Sequence, residues 1–359
     1  LEKGLALIPP SQGERSVRER ARIENELAEL ALSRNETAAA VRIAEGALEE
    51  IEDHLRVNAG AALGPEKIAI LTTLANVRLR QFRYDEARAY LERLLEESDD
   101  RSSVSARSLA FNSLGVLCGQ EDRYEEAIHW FERARELAMR LDQAPTVVTI
   151  DANLAVLFAK LGDGASADEA LRRAARLDAR CESARTRFLR LHAAGTVDLL
   201  LGRLESAIHS LTGAIIEGEE LGDRHVLPFD YVYLAECHLL RGEWTRTISL
   251  LERALACDAT STAIGPMVEA RRLVVDAFAG RAIDEERAVR EAGESSDLPP
   301  YVRASNLIFI GWALRVAKLS SPARASLDSA RRFFARVKVR AGEARAEIEL
   351  ALLDLESGR

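Results

Sequence analysis

The sequence is poor in aromatic residues, which fill 5% of its 359 positions, and it holds only 9 prolines and 4 cysteines. So few prolines, with 21 glycines, exclude collagen-like and Pro/Gly-rich disordered chains. Cys118, Cys181, Cys237 and Cys257 lie far apart, with no CxxC pair and no histidine at ligand spacing, so neither a zinc site nor a disulfide framework is indicated. They read as small core residues in a reducing cytoplasm. The densest apolar stretch, Leu307 to Leu314, is too short to span a bilayer. Positive charge is in deficit: 49 Lys and Arg face 58 Asp and Glu, and the net charge of −9 argues against general attraction to nucleic acid or an anionic membrane. Lysine is scarce, since arginine supplies 44 of the 49 basic residues, and we read that as the codon bias of a GC-rich bacterial gene. The chain begins at Leu1 rather than Met, with no charged-then-apolar leader, and reads as a processed or excised piece.

Catalytic signatures are missing too. There is no GxxxxGK[ST] phosphate loop, GxGxxG fingerprint, HExxH pair or GxSxG elbow. The segment Gly60-Ala-Ala-Leu-Gly-Pro-Glu-Lys67 has some of the look of a phosphate loop, but Pro65-Glu66 interrupts it and no strand precedes it. The six histidines are scattered one per helix or loop, which is the distribution of solvated or satisfied side chains rather than of ligands. The expectation is a protein without enzymatic activity and without a cofactor or metal.

What the chain does contain is a repeat. The segments starting Tyr84-Asp-Glu-Ala, Tyr124-Glu-Glu-Ala and Trp244-Thr-Arg-Thr each run on into a Glu-Arg pair, and they are separated by 40 and 120 residues. Gly164 and Leu204 fall in the same column, so one unit recurs every 40 residues. Ten positions later comes a small-residue column, from which only Leu94 departs: Ala47, Leu94, Ala134, Ala174, Ala214, Ala254, Ala292 and Ala330. A second such column runs Ala28, Ala75, Gly115, Ala155, Gly195, Ala235, Leu273, Gly311 and Ala351. Apolar residues at i, i+3, i+4 and i+7 flank a short break in each unit, which predicts two amphipathic helices per unit. The break often holds glycine, as in Leu161-Gly162-Asp163, Leu201-Gly202-Arg203 and Arg241-Gly242-Glu243, where a positive φ can close the first helix. The small columns let antiparallel helices approach to the lower end of the usual axial separation.

These columns, with Tyr84, Tyr124 and Trp244, resemble the tetratricopeptide repeat over nearly the whole chain, from about Ser16 to Gly358. That family's unit is usually about 34 residues, so a 40-residue unit adds roughly three residues to each helix. Long units of this style are similar to those in the sensor arms of maltose-type transcription activators and in arrays attached to bacterial regulatory kinases and ATPases. The resemblance implies an all-α, right-handed α-solenoid of about eight helix-turn-helix units with half-units at both ends. Residues 1–15 are expected to be the end of a preceding helix and a linker, 16–336 the array, and 337–359 a terminal helix, either a cap or the first helix of a further unit.

In such stacks the first helices line the concave face, and the positions that should point into it hold Asn76, Asn112 and Asn153 with Arg80 and Lys160 near them. Amides both donate and accept, so this ladder suits the backbone of an extended peptide, and the cations favour an acidic one. Farther along, the same register holds His192, Tyr233, Glu236 and Trp312. The chaperone-tail clamp of co-chaperones is matched only in part, because Thr149 and Asn153 stand where its third unit needs Lys and Arg. A second candidate surface is a run of arginines, Arg172, Arg173, Arg176, Arg180 and Arg187, suited to docking an acidic segment of a partner or of the same polypeptide. The functional expectation is a binding scaffold, the sensing or partner-recruiting arm of a larger bacterial signalling or transcription-regulatory protein, with a free-standing peptide-binding adaptor as the alternative. Its partner is a protein or peptide, or else a small molecule, and neither nucleic acid nor membrane.

Overall fold

The computed structural model describes residues 13–358 apart from 35, 98–103, 182, 258–262, 285 and 287–297. Its described residues form α-helices in sequence, with no strand among them. In order they are α1 (Glu14–Ser33), α2 (Thr37–Val57), α3 (Gly64–Arg80), α4 (Tyr84–Glu97), α5 (Val104–Gln120), α6 (Tyr124–Arg140), α7 (Ala144–Lys160) and α8 (Gly164–Cys181). There follow α9 (Ala184–Leu200), α10 (Leu204–Leu221), α11 (Leu227–Leu240), α12 (Trp244–Cys257), α13 (Ile264–Phe278), α14 (Pro300–Val316), α15 (Ser320–Arg336) and α16 (Arg340–Glu356). Consecutive helices pair as the 40-residue period requires, α1 with α2 through α14 with α15. The second helix expected after α13, with Ala292 at its crossing, lies outside the described residues, as do residues 1–12 of the helix end and linker expected over 1–15.

The small columns are where helices cross. Ala28, Ala75, Ala155 and Ala235 of the first helices are fully buried, and so are Ala134, Ala174, Ala214, Ala254 and Ala330 of the second. Glycine appears where even a methyl group is too much: a Cβ on Gly195 would stand 2.5 Å from Leu211 Cγ, and one on Gly311 2.5 Å from Leu327 Cγ. Ala351, in the same column, is exposed, with no described helix crossing α16 at that point. The two helices of a hairpin differ in burial. In α11 nearly every residue from Leu227 to Leu239 is buried, because it packs against helices before, after and beside it. In α12 only Thr247, Leu251 and Ala254 are buried, leaving a single core-facing stripe.

Each hairpin turn closes in the same way. The amide of Asp163 reaches back to Phe158 O at 2.9 Å, and the same bond joins Arg203 to Asp198 and Glu243 to His238. Gly162, Gly202 and Gly242 take the positive φ this turn requires, as expected. Phe82, Asp122, Asp142, Lys318 and Lys338 take it as well, so the turn does not depend on glycine.

The helices fall into two compact units, Leu1–Gly119 with Glu125–Thr146, and Gln120–Tyr124 with Val147–Arg359. In the second unit two apolar clusters run between the first and second helices, one around Phe188, Leu211, Tyr231 and Leu251, the other around Leu239, Val274, Phe309 and Leu314. Of the four cysteines, all unpaired, Cys118 and Cys237 are buried and Cys181 and Cys257 partly so. Among the described residues no helix is long and apolar enough to cross a membrane.

Candidate functional site

The second unit brings together polar side chains from the first helices of its successive hairpins and from α16. Lys160 ends α7, five residues past the Ala155 crossing. His192 stands three before the Gly195 crossing on α9, and Tyr233 and Glu236 bracket Ala235 on α11. Because the inner helices repeat the same register, all four side chains fall on one side of the unit. Two long-range contacts show that the unit curls back on itself: Lys160 Nζ lies 3.9 Å from the Tyr301 ring centroid, and Arg345 on α16 is ion-paired to Glu236. A Cβ on Gly162, in the turn between α7 and α8, would lie 2.9 Å from Cβ of Arg340.

Glu236 is the centre of one half of the group. Its Oε2 accepts from Arg271 Nε and Nη2 at 3.1 and 2.7 Å, while Oε1 accepts from Arg345. Burial would raise this carboxyl, but the two guanidiniums outweigh it and hold Glu236 below the usual carboxylate range. Arg271 also donates to Met267 O at 3.0 Å and to Asn306 Oδ1 at 3.4 Å. Both guanidiniums lie over the Phe309 ring, at 4.1 Å for Arg271 and 4.6 Å for Arg345.

The other half holds His192 and Lys160. His192 Nδ1 is 2.7 Å from Oδ1 of the fully buried Asp230. Burial favours a neutral ring, but the carboxylate against it prevails and holds His192 above its ordinary pKa. His192 faces Tyr233, ring centroids 6.2 Å apart, and burial pushes the Tyr233 phenol up to about 12. Burial also lowers Lys160, to about 8, against the opposing pull of Asp122. Three buried polar atoms in this region have no hydrogen-bond partner among the described residues: Asp230 Oδ2, Asn306 Nδ2 and Arg345 Nη2. Each such group costs about 1–3 kcal/mol when left unmade.

The other expected residues are placed differently. Asn76 and Arg80 lie in the first unit and are engaged there: Asn76 Oδ1 accepts from Ser113 Oγ at 3.0 Å, and Arg80 Nη1 donates to Leu32 O at 2.6 Å. Asn112, in the same unit, keeps its Oδ1 buried without a hydrogen-bond partner. Asn153 lies in the second unit, partly buried. Trp312 packs into the apolar layer against Phe278 and Phe309, at 6.1 and 6.4 Å between centroids. In the arginine run, Arg172 pairs with Glu169 at 2.8 Å, Arg173 with buried Asp151 at 2.8 Å, and Arg187 with Glu217. Arg176 and Arg180 are exposed. The first unit has a separate cleft of about 570 Å³ between α5 and α6, floored by Phe111 under Arg133.

Sequence reading missed Asp230, Arg271, Tyr301, Asn306 and Arg345. Arg271 was within reach, since it stands two before Leu273 just as Tyr233 stands two before Ala235. Asp230 and Asn306 share a position five before the crossing, one turn beyond the register considered. Nothing in the sequence marks Tyr301 or Arg345. Among the described residues no His, Cys, Asp and Glu group could hold a metal ion.

Residues 66–140 and 105–180 match the sequence profile of the tetratricopeptide repeat. No curated protein matches the chain. Among solved structures it is similar to a Rap protein in complex with Competence and Sporulation Factor, with a TM-score of 0.58 and 10% identity over 94% of this chain and 98% of that one. The apo quorum sensor NprR from B. thuringiensis superposes at 0.51, with 11% identity over 94% of this chain and 88% of its own. A signal transduction ATPase with numerous domains from Pyrococcus horikoshii, which has a tetratricopeptide repeat sensor, superposes at 0.52 with 14% identity, over 98% of this chain but only 54% of that protein.

Proposed function

We propose that this stack of tetratricopeptide repeats is a non-catalytic binding module, the sensing or partner-recruiting arm of a larger signalling or transcription-regulatory protein, and that it takes a peptide against the inner helices of its second unit. One observation carries the reading: polar side chains from five inner helices and α16 converge there, and Asp230, Asn306 and Arg345 keep buried atoms without partners. A scaffold under selection for stability alone would have placed apolar side chains at these positions. A ligand with backbone amides and carbonyls supplies the missing partners. The shared fold fixes no ligand, but it is the fold of a Rap protein solved with Competence and Sporulation Factor and of a quorum sensor. Arg176 and Arg180 are the part of the arginine run best able to dock an acidic segment of the same polypeptide. The four unpaired cysteines suit a reducing cytoplasm.

The test is a pool of fluorescein-labelled pentapeptides screened by fluorescence anisotropy. Members that bind the wild-type chain should lose affinity about fivefold with Asn153→Ala and with Tyr233→Phe, which remove one amide or one hydroxyl and break no ion pair. A pool without binders, or binders indifferent to both substitutions, overturns the reading.

A further inference from the structure

Resting on that reading, we propose that Lys160 is the carboxylate receptor of the second unit: its ammonium, held between the rings of Tyr124 and Tyr301, takes an acidic side chain or the C-terminal carboxylate of a peptide ligand. Nζ lies 3.9 Å from the Tyr301 ring centroid and 5.3 Å from that of Tyr124. Among the described residues it makes no hydrogen bond and no ion pair. Other lysines are paired: Lys67 bridges Glu52 and Glu97, and Lys318 reaches Glu356. The acid nearest in effect, Asp122, accepts from the Tyr124 hydroxyl at 2.6 Å and also feels Arg336. Two aromatic faces stabilise the cation while leaving N–H donors with nothing to donate to. In a chain where 44 of 49 basic residues are arginine, this position between two rings holds a compact ammonium.

The region beyond Tyr301 also favours an anion. Tyr301 sits within the electrostatic reach of Arg345, Glu236 and Tyr233, and burial raises its phenol, so the hydroxyl stays a donor. Arg345 contributes the unpartnered Nη2, with Glu236 and Glu349 as the acids acting near it. An acidic peptide therefore meets Lys160 at one end of the group and guanidinium and phenol donors at the other.

The bland alternative is that Lys160 merely braces α7 to α14 through its cation–π contact. Lys160→Met separates the two, because it keeps the stem between the rings and removes only the charge. A partly buried cation whose nearest acid, Asp122, already accepts from Tyr124 is a burden on the fold, so the receptor assignment predicts a melting temperature at pH 7 equal to or above wild type. The advantage should fade as pH rises past 8, where Lys160 of the folded wild-type chain is neutral. Acidic pentapeptides should bind Lys160→Met at least tenfold more weakly, while amidated peptides with Gln and Asn in place of Glu and Asp bind both proteins alike. Replacing only the side-chain acids, or only amidating the terminus, identifies which carboxylate is held. A lower melting temperature with unchanged preference for acid overturns the assignment in favour of the brace. If wild type binds acidic and neutral peptides equally, Lys160 is not a receptor although the unit binds peptides. If no peptide binds at all, the functional reading itself fails and takes this one with it.

Discussion

Asp223 shows how much a single side chain in this fold can hold. Its Oδ1 accepts from the amides of His225 and Val226 at 3.0 and 2.6 Å, capping the entry to α11, and its other oxygen pairs with Arg185. Burial would raise the carboxyl, but Arg185 and the backbone donors outweigh it and place Asp223 below its ordinary value. Asp223→Ala should destabilise the chain by about 2 kcal/mol in urea unfolding at pH 7. A depressed carboxyl stabilises above its unfolded pKa, so the gap between wild type and Asp223→Ala should close as pH falls below about 4. His192 has the opposite sign. Its raised pKa means that the pair stands below about pH 6.5, down to where Asp230, raised by its burial, takes up a proton, and is lost as pH climbs through the ring's higher value. The stability difference between wild type and His192→Gln should therefore shrink from pH 6 upward. Comparing the two proteins at each pH cancels the Lys160 titration, which runs the other way.

At the scale of the helix pair, the crossings decide what is tolerated. A Cβ on Gly195 would meet Leu211 Cγ at 2.5 Å and the Leu211 backbone nitrogen at 3.2 Å, and the backbone atom cannot turn aside as a side chain can. Gly195→Ala should cost about 1–3 kcal/mol through overpacking, partly offset by helix propensity. Gly46, inside α2 with nothing within 4 Å of its would-be Cβ, is the control. Gly46→Ala should raise stability by up to about 1 kcal/mol. Thermal unfolding of the two variants checks both signs. The hairpin turns make the complementary point, since Gly162 and Asp122 adopt the same left-handed conformation while only the glycine announces it.

Across the whole chain, a repeat stack owes its stability to neighbouring hairpins, so damage should stay local. Ala134 is fully buried, and Ser108 Oγ donates to its carbonyl at 3.0 Å. Ala134→Leu should cost about 1–3 kcal/mol. Hydrogen exchange should quicken first in α5 and α6, with the amides of α11 still protected. Simultaneous loss of protection in α6 and α11 would show instead that the chain unfolds as one cooperative body.

The 40-residue period, the helix pairs and the crossing residues were legible in the sequence because they are local properties. Helical periodicity needs only a dozen neighbours, and an Ala or Gly crossing recurs at fixed spacing whatever the stack does over long distance. The shared register also marked Lys160, His192, Tyr233 and Glu236 as facing one side. What the register could not give is who meets whom across the unit. Arg345 reaches Glu236 from 109 residues away, and Tyr301 reaches Lys160 from 141. Those meetings depend on small rotations between hairpins that accumulate along the stack, each set by side-chain packing at its crossing. Asn76 shows the same divide: the register counts it among the concave positions, and its oxygen accepts from Ser113 of the next hairpin. A repeating pattern of spacing carries the shape of one hairpin, and the contacts that join distant hairpins of the second unit, such as Arg345 with Glu236, arise only when their side chains pack.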